Sequence, residues 1–264
     1  MSPKDTNGRA GQVRAITRAV SVMRALSESA DGLTLSETAA QSGLAASTAH
    51  RILTTLESER FVRFETASGC WHVGVAAFTV GAAFARTRDV IVLAKPYMRR
   101  LMESTGETAN IYLESGGEIV CMGQVESRHA MRALTRVGGR TKMHWSAAGK
   151  AILAQMRPER ARRVLEEQGM ARATSRTITD AASLAGELDR IRAEGVAVDD
   201  EEHADGLRCV GSAVLSENGT AAAAISVSGP RSRITDERLE QLRDVVGRIV
   251  SEVTREYGGR PAGG

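Results

Sequence analysis

A chain of 264 residues, at roughly 100–200 residues per domain, makes one large domain or two modest ones. With 42% hydrophobic and 25% charged residues its composition is that of a globular protein, which argues against a disordered chain, and no apolar run approaches the ~20 residues that span a bilayer. The balance of 35 Lys+Arg against 32 Asp+Glu leaves a formal charge of +3, too small to mark a nucleic-acid binder by itself. Only Lys4, Lys95, Lys142 and Lys150 are lysine, so the basic residues are mostly arginine, whose planar fork suits phosphates and base edges. Cys70, Cys121 and Cys209 are widely spaced, which fits neither a disulfide framework nor a CxxC metal site. The polar stretch from Met1 to Arg9 lacks the apolar core of a signal peptide. A soluble cytoplasmic protein, off the membrane and without a cofactor, is expected.

Residues 1–11 have no apolar periodicity and read as a disordered tail. From Val13 the pattern is helical: Ile16, Ala19, Val20, Met23 and Leu26 follow a 3.6 period up to the turn cluster Ala30-Asp31-Gly32. A short extended piece, Leu33-Thr34-Leu35, precedes Ser36 as N-cap of a brief helix, with Glu37 in its first turn and Gly43 as a left-handed stop. A third helix opens near Ala46-Ser47 and places Ala49, Ile52, Leu53 and Leu56 on one stripe. Two strands, 61–64 and 71–73, join across Thr66-Ala67-Ser68-Gly69. This order is that of a winged helix-turn-helix over 12–74, with Gln41-Ser42-Gly43-Leu44 as the turn. The same stripes would also serve a small helical domain docked on a partner.

Residues 75–89 read as a linker helix whose Phe and Val lack a wide polar face, so a second copy is expected to cover it. In the helix that follows, Pro96 sets either the start near Lys95 or a kink. Over 90–257, strands are expected at 108–113, 118–124, 130–136, 196–198, 207–215 and 221–227, and helices at 147–155, 158–167, 183–194 and 236–257. Hairpin turns at Ser115-Gly116-Gly117 and Glu217-Asn218-Gly219 make neighbouring strands antiparallel, hence an α+β domain. Residues 258–264 form a flexible Gly-rich tail.

Several motifs in this order resemble the IclR family over about 240 residues. They are Gly43-Leu44 through His50-Arg51-Ile52-Leu53, Trp71-His72-Val73-Gly74, Gly106-Glu107-Thr108-Ala109-Asn110 and Ser146-Ala147-Ala148-Gly149-Lys150-Ala151. The set continues with Asp199-Asp200-Glu201-Glu202-His203, Gly206-Leu207-Arg208-Cys209 and Ala224-Ile225-Ser226-Val227-Ser228-Gly229-Pro230. The resemblance implies a DNA-binding transcription regulator with a GAF-like sensor domain, assembled as a dimer or a dimer of dimers. Double-stranded operator DNA and a small organic-acid effector are the partners it implies.

Opposite its apolar stripe, the third helix carries Ser47, His50, Arg51 and Thr54, with Thr48 at the margin. Arg51 is the candidate for a bidentate guanine contact, and Ser47 and Thr48 for a phosphate at the helix N-terminus. Arg63 beside the wing tip is placed to reach an adjacent backbone or minor groove. A solvated amphipathic face is the alternative reading of the same residues.

The resemblance also implies a sensor pocket. Ala147 and Ala148 offer backbone N–H groups to a carboxylate, while Asp199, Cys209, Ser226 and Ser228 match effector contacts of glyoxylate- and pyruvate-responsive members. Asp199 would repel an anion, so it must meet a donor such as a hydroxyl or an aldehyde hydrate. The wall positions here are Ala130, Ala133 and Thr141, with Leu207 kept; they replace bulkier aliphatics and imply a larger or more polar ligand, such as a C4 semialdehyde or an aromatic acid stacked on Trp145.

Other chemistries fit poorly. Gly149-Lys150 lacks both the upstream Gly and the Ser/Thr of a phosphate loop, because His144 and Ala151 stand there. His129, His144, His203, Cys121 and Cys209 contain no pair at metal-ligand spacing. Cys209, His203 and Asp199 would make a hydrolase triad on paper, but Cys209 lies in an apolar strand, so no catalytic residue is assigned. The expectation is a repressor of a carbon-catabolism operon that senses a small oxo, hydroxy or semialdehyde acid. An activator responding to an aromatic acid and a Cys-dependent hydrolase with a regulatory head are the alternatives. Residues 1–75 hold eight Lys/Arg and seven Asp/Glu, so any DNA affinity must come from where Arg51 and Arg63 sit rather than from net charge.

Overall fold

The apolar period that starts at Val13 forms α1 (Arg14–Glu28), which turns Val22, Ala25 and Leu26 inward. The computed structural model describes residues 13–86, 89–129 and 136–261. The chain divides into two compact units between residues 87 and 88. The expected tail over 1–11 lies outside the described residues, as does the end of the expected tail over 258–264.

In the first unit, α2 (Leu35–Ser42) begins two residues earlier than expected, because Thr34 and not Ser36 is its N-cap. Thr34 Oγ1 accepts from Glu37 N at 3.3 Å and Glu37 Oε2 accepts from Thr34 N at 2.8 Å, a reciprocal capping box written as Thr34-Leu35-Ser36-Glu37. Gly43 ends the helix at φ +67°, the left-handed conformation that lets Leu44 turn into α3 (Ala46–Ser58). β1 (Val62–Glu65) and β2 (Cys70–Val73) pair antiparallel as the wing, and Leu33 bridges to Trp71. Val22, Leu26, Leu33, Leu53, Val62 and Trp71 form one small core, which fixes α3 on its apolar stripe and leaves the opposite side in water. α4 (Val75–Arg86) follows, with Val75, Phe78 and Val80 exposed.

The second unit opens with α5 (Asp89–Thr105), a single helix that contains Pro96. The helix therefore does not start at Lys95. The carbonyl that Pro96 leaves without its helical donor belongs to Val92, which is 57% exposed and open to water. The described strands form a six-stranded sheet in the order β5-β4-β3-β8-β7-β6, antiparallel at every pairing. They are β3 (Thr108–Ser115), β4 (Glu118–Val125), β5 (Arg140–Lys142), β6 (Ala197–Asp200), β7 (Leu207–Leu215) and β8 (Ala221–Pro230). Alternate residues serve two cores: Ile111, Val210 and Val227 pack with α5 and α9 (Asp236–Glu256), while Tyr112, Ala213 and Ala224 pack with α6 (Ala147–Ala154) and α8 (Ala181–Glu194). α7 (Pro158–Gln168) adds Ala161 and Val164 to the second core.

The expected strand over 130–136 falls on residues of which only Arg136 is described, and Arg136 is not in a strand. β5 was not anticipated, since Arg-Thr-Lys over three residues carries no apolar alternation. No described helix is long and apolar enough to cross a membrane.

Candidate functional site

Each unit presents one candidate surface. In the first, α3 is held by Ala49 and Leu53, both fully buried, so Ser47, His50, Arg51 and Thr54 emerge on the exposed side and Thr48 at its margin. Ala45 caps α3 without a side-chain bond, which leaves the first-turn N–H groups open to a phosphate. Thr54 is a weaker donor than its position implied: its hydroxyl donates back to the carbonyls of His50 and Arg51, each at 3.1 Å. Arg63 is exposed on β1, 3.5 Å from Glu65, so its guanidinium is loosely tethered and stays in water.

In the second unit the register of three strand pairs builds a row of polar groups on one face. Ser226 lies opposite Asn110 and Gly211, Ser228 opposite Thr108 and Cys209, and Cys209 opposite Asp199. The N-terminus of α6 seats on this row because Gly211 has no side chain; a Cβ there would stand 3.0 Å from Ala148 N and 3.1 Å from the Ala147 carbonyl carbon. Ser146 caps α6 through Gly149 N at 3.1 Å, so among the described residues the N–H groups of Ala147 and Ala148 have no acceptor. They face a cavity of about 330 Å³.

Ala147, Ala148, Asp199, Cys209, Ser226, Ser228, Thr141 and Leu207 all line this cavity. Ala130 and Ala133 lie outside the described residues. Trp145 is not among the lining groups, which corrects the expected stacking of a ligand on its ring. Its indole stacks instead on His203 at 5.9 Å and 17° and donates to Thr141 Oγ1 at 2.9 Å, so it braces two wall residues from behind. The sequence reading missed Tyr112, Arg136, Arg140 and His203 on the wall and Asn110 beneath it. Asn110 is fully buried; its Nδ2 donates to Ser228 Oγ at 3.1 Å and its Oδ1 accepts from Gln124 at 3.1 Å, so the Ser228 proton is left free to point at a ligand. A polar residue inside an apolar strand was the available signal for it.

Asp199 Oδ1 accepts from the backbone N–H of Glu202 at 2.8 Å and of His203 at 3.2 Å. That loop turns tightly because Glu201 adopts φ +63° and accepts from Gly206 N at 2.8 Å. Asp199 Oδ2 is buried and has no hydrogen-bond partner among the described residues. Burial, with Glu202 adding like charge, pushes the Asp199 carboxyl up to about 7. Burial also raises the Cys209 thiol well above its ordinary range, and the His203 ring is stacked on Trp145, so the paper triad lacks a thiolate. Beneath Asp199, fully buried Lys150 pairs with Glu202 and, at 3.4 Å, with Glu187.

A helix-turn-helix head with an exposed third helix, joined in one chain to an α+β unit with a polar-lined cavity, is the architecture of a DNA-binding transcription regulator. The family model for the IclR helix-turn-helix domain matches residues 15–66, and that for the bacterial transcriptional regulator IclR C-terminal matches 82–255. The chain belongs to the IclR family of bacterial transcriptional regulators. It is 40% identical over 251 residues to the transcriptional repressor IclR of Escherichia coli, covering 94% of this chain and 92% of that one. The acetate operon repressor of Salmonella typhimurium is also 40% identical over 251 residues, with 94% and 92% covered. The Thermotoga maritima IclR structure superposes with a TM-score of 0.76 at 28% identity, covering 94% of this chain and all of that one.

Proposed function

We propose that this chain is a repressor that holds operator DNA through α3 and the wing and releases it when a small organic acid fills the cavity of the second unit. The observation that carries the sensing half is the meeting of two open N–H groups (Ala147, Ala148), two strand hydroxyls (Ser226, Ser228) and an unpartnered buried carboxyl oxygen (Asp199) around one cavity. The N–H pair favours a carboxylate, and the remaining polar groups favour an oxygen-bearing carbon beside it. Similarity to repressors, one of them of an acetate operon, supports repression and a carbon-catabolism target. Ser47, Thr48, His50, Arg51, Thr54 and Arg63 are the residues proposed to touch DNA. The exposed Val75, Phe78 and Val80 on α4 support a dimer covered along that helix.

At about 330 Å³ the cavity also admits an aromatic acid, which keeps that class among the ligands to test. A thermal-shift screen of oxo, hydroxy, semialdehyde and aromatic monocarboxylic acids separates these classes. A rise in midpoint is expected for the small oxo and hydroxy acids, growing with ligand concentration as mass action requires. A rise confined to aromatic acids would move the effector to that class, and no rise with any acid would count against a carboxylate sensor.

A further inference from the structure

We propose that the cavity takes its carboxylate ligand together with one proton, which Asp199 Oδ2 carries as a hydrogen-bond donor to the ligand. The inference rests on the reading of the cavity as a small-acid site and concerns the charge state in which that site works.

Asp199 is 1% exposed, and its two oxygens are in different situations. Oδ1 is satisfied by two backbone N–H groups, at 2.8 and 3.2 Å, whereas Oδ2 is buried at the cavity wall with no N–H or O–H donor among the described residues, the weakly donating Cys209 thiol alone standing against this carboxyl. An unmet carboxylate oxygen in that position is costly, and a carboxylate ligand drawn to the Ala147 and Ala148 N–H groups would set a second negative charge in the same cavity. Placing one proton on Oδ2 removes both penalties, since the O–H then points a donor where the ligand brings acceptors. The only bond formed is that O–H, and the proton comes from solvent.

Among the described residues no unpaired cation contacts Asp199; the cations that line the cavity are Arg136 and Arg140. On its own loop, Glu202 adds like charge and His203 turns its ring to Trp145. Asp200 and Glu201 are engaged by Arg176, Arg208 and Arg231. Across the sheet on β7 stand Cys209, whose thiol burial keeps protonated, and Arg208, which is held by Asp200 and Asp236. From α6 comes Lys150, already paired with Glu202 and with Glu187 of α8. Arg140 at the rim is bonded to Glu118 and to the Ser115 carbonyl; Arg136 lines the rim and is exposed. Burial first and Glu202 second place the Asp199 carboxyl near 7, where such coupling is readable.

Glyoxylate and pyruvate serve as probes, titrated calorimetrically into the wild-type chain and Asp199→Asn at pH 6 and pH 8 in two buffers of different ionisation heat. Wild type is expected to bind about tenfold more weakly at pH 8 than at pH 6, with close to one proton taken up per ligand at pH 8. Asp199→Asn, whose amide supplies the donor permanently, should bind equally at both pH values with no uptake. Wild-type affinity that is the same at both pH values without proton exchange would overturn the inference, as would a folded Asn variant that fails to bind at either. Binding of neither acid to wild type would instead contradict the small-oxo-acid reading of the cavity and remove the basis for the inference with it. A ligand-free arm reads the same proton. A group whose folded pKa is raised stabilises fully only below its unfolded pKa, so the thermal midpoint of Asp199→Asn should gain on wild type from pH 4 to pH 8. A constant gap across that range would contradict a protonated Asp199.

Discussion

Lys150→Met should destabilise the second unit by about 3–5 kcal/mol. Lys150 is fully buried and holds Glu202 and Glu187, whose side chains are 9% and 16% exposed. Removing the ammonium leaves Glu202 buried without a cation, while Glu187 keeps its pair with Arg190, so the cost comes from the stranded charge of Glu202 rather than from the lost attraction. The pH dependence follows in sign. Glu202 already sits above the usual carboxylate range, because burial outweighs the help of Lys150. Without Lys150 it rises further, and a raised carboxyl loses stability as pH climbs through its folded pKa. The deficit should therefore be small near pH 4 and largest near pH 8. Urea unfolding at both pH values, followed on the transition of the second unit, checks it, and the double change Lys150→Met with Glu202→Gln should recover much of the loss.

Arg51→Ala should lower the preference for operator over non-specific DNA by about 5–150-fold, corresponding to about 1–3 kcal/mol for one bidentate base contact. Arg51 stands on the exposed side of α3, directly opposite the stripe that Leu53 fixes in the core, so its removal leaves the fold of the head intact. Gel shifts with unlabelled competitor DNA read the ratio directly. Acid-induced thermal shifts of the second unit should be unchanged. A variant that keeps wild-type selectivity would take Arg51 out of base readout.

The helices were legible because their apolar stripes are long: Ile52, Leu53 and Leu56 on α3 are unambiguous at a 3.6 period. The antiparallel α+β sheet followed from two glycine-bearing turns. The cap of α2 was misplaced by two residues although Thr34-Leu35-Ser36-Glu37 spells a capping box, since the box needs Glu at the third helical position and only Thr34 satisfies that count. β5 escaped because three polar residues have no period to read.

At the cavity, the serines and Asp199 are legible by motif resemblance, while their chemistry depends on the three-dimensional arrangement around them. Nothing in Asp199-Asp200-Glu201-Glu202 says that one oxygen of Asp199 takes two N–H groups and the other takes none. That outcome depends on the left-handed turn at Glu201. Arg140 reaches the rim through the pairing of β4 with β5, a register that local sequence does not encode, and Arg136 lies just before that strand. Aromatic chemistry alone points Trp145 at a ligand, yet the ring it stacks on is His203, which the chain brings back from 58 residues away.

The link from cavity to DNA is the central claim, and a coupling of this kind requires that the acid bind the DNA-competent and DNA-incompetent states unequally. Footprinting of the full chain on the DNA upstream of its own gene, with and without the acid selected by thermal shift, tests it most directly. The account predicts protection over two half-sites related by a twofold axis, steeply weakened by salt, and lost on addition of the acid. Protection that is the same with and without a bound acid would contradict it.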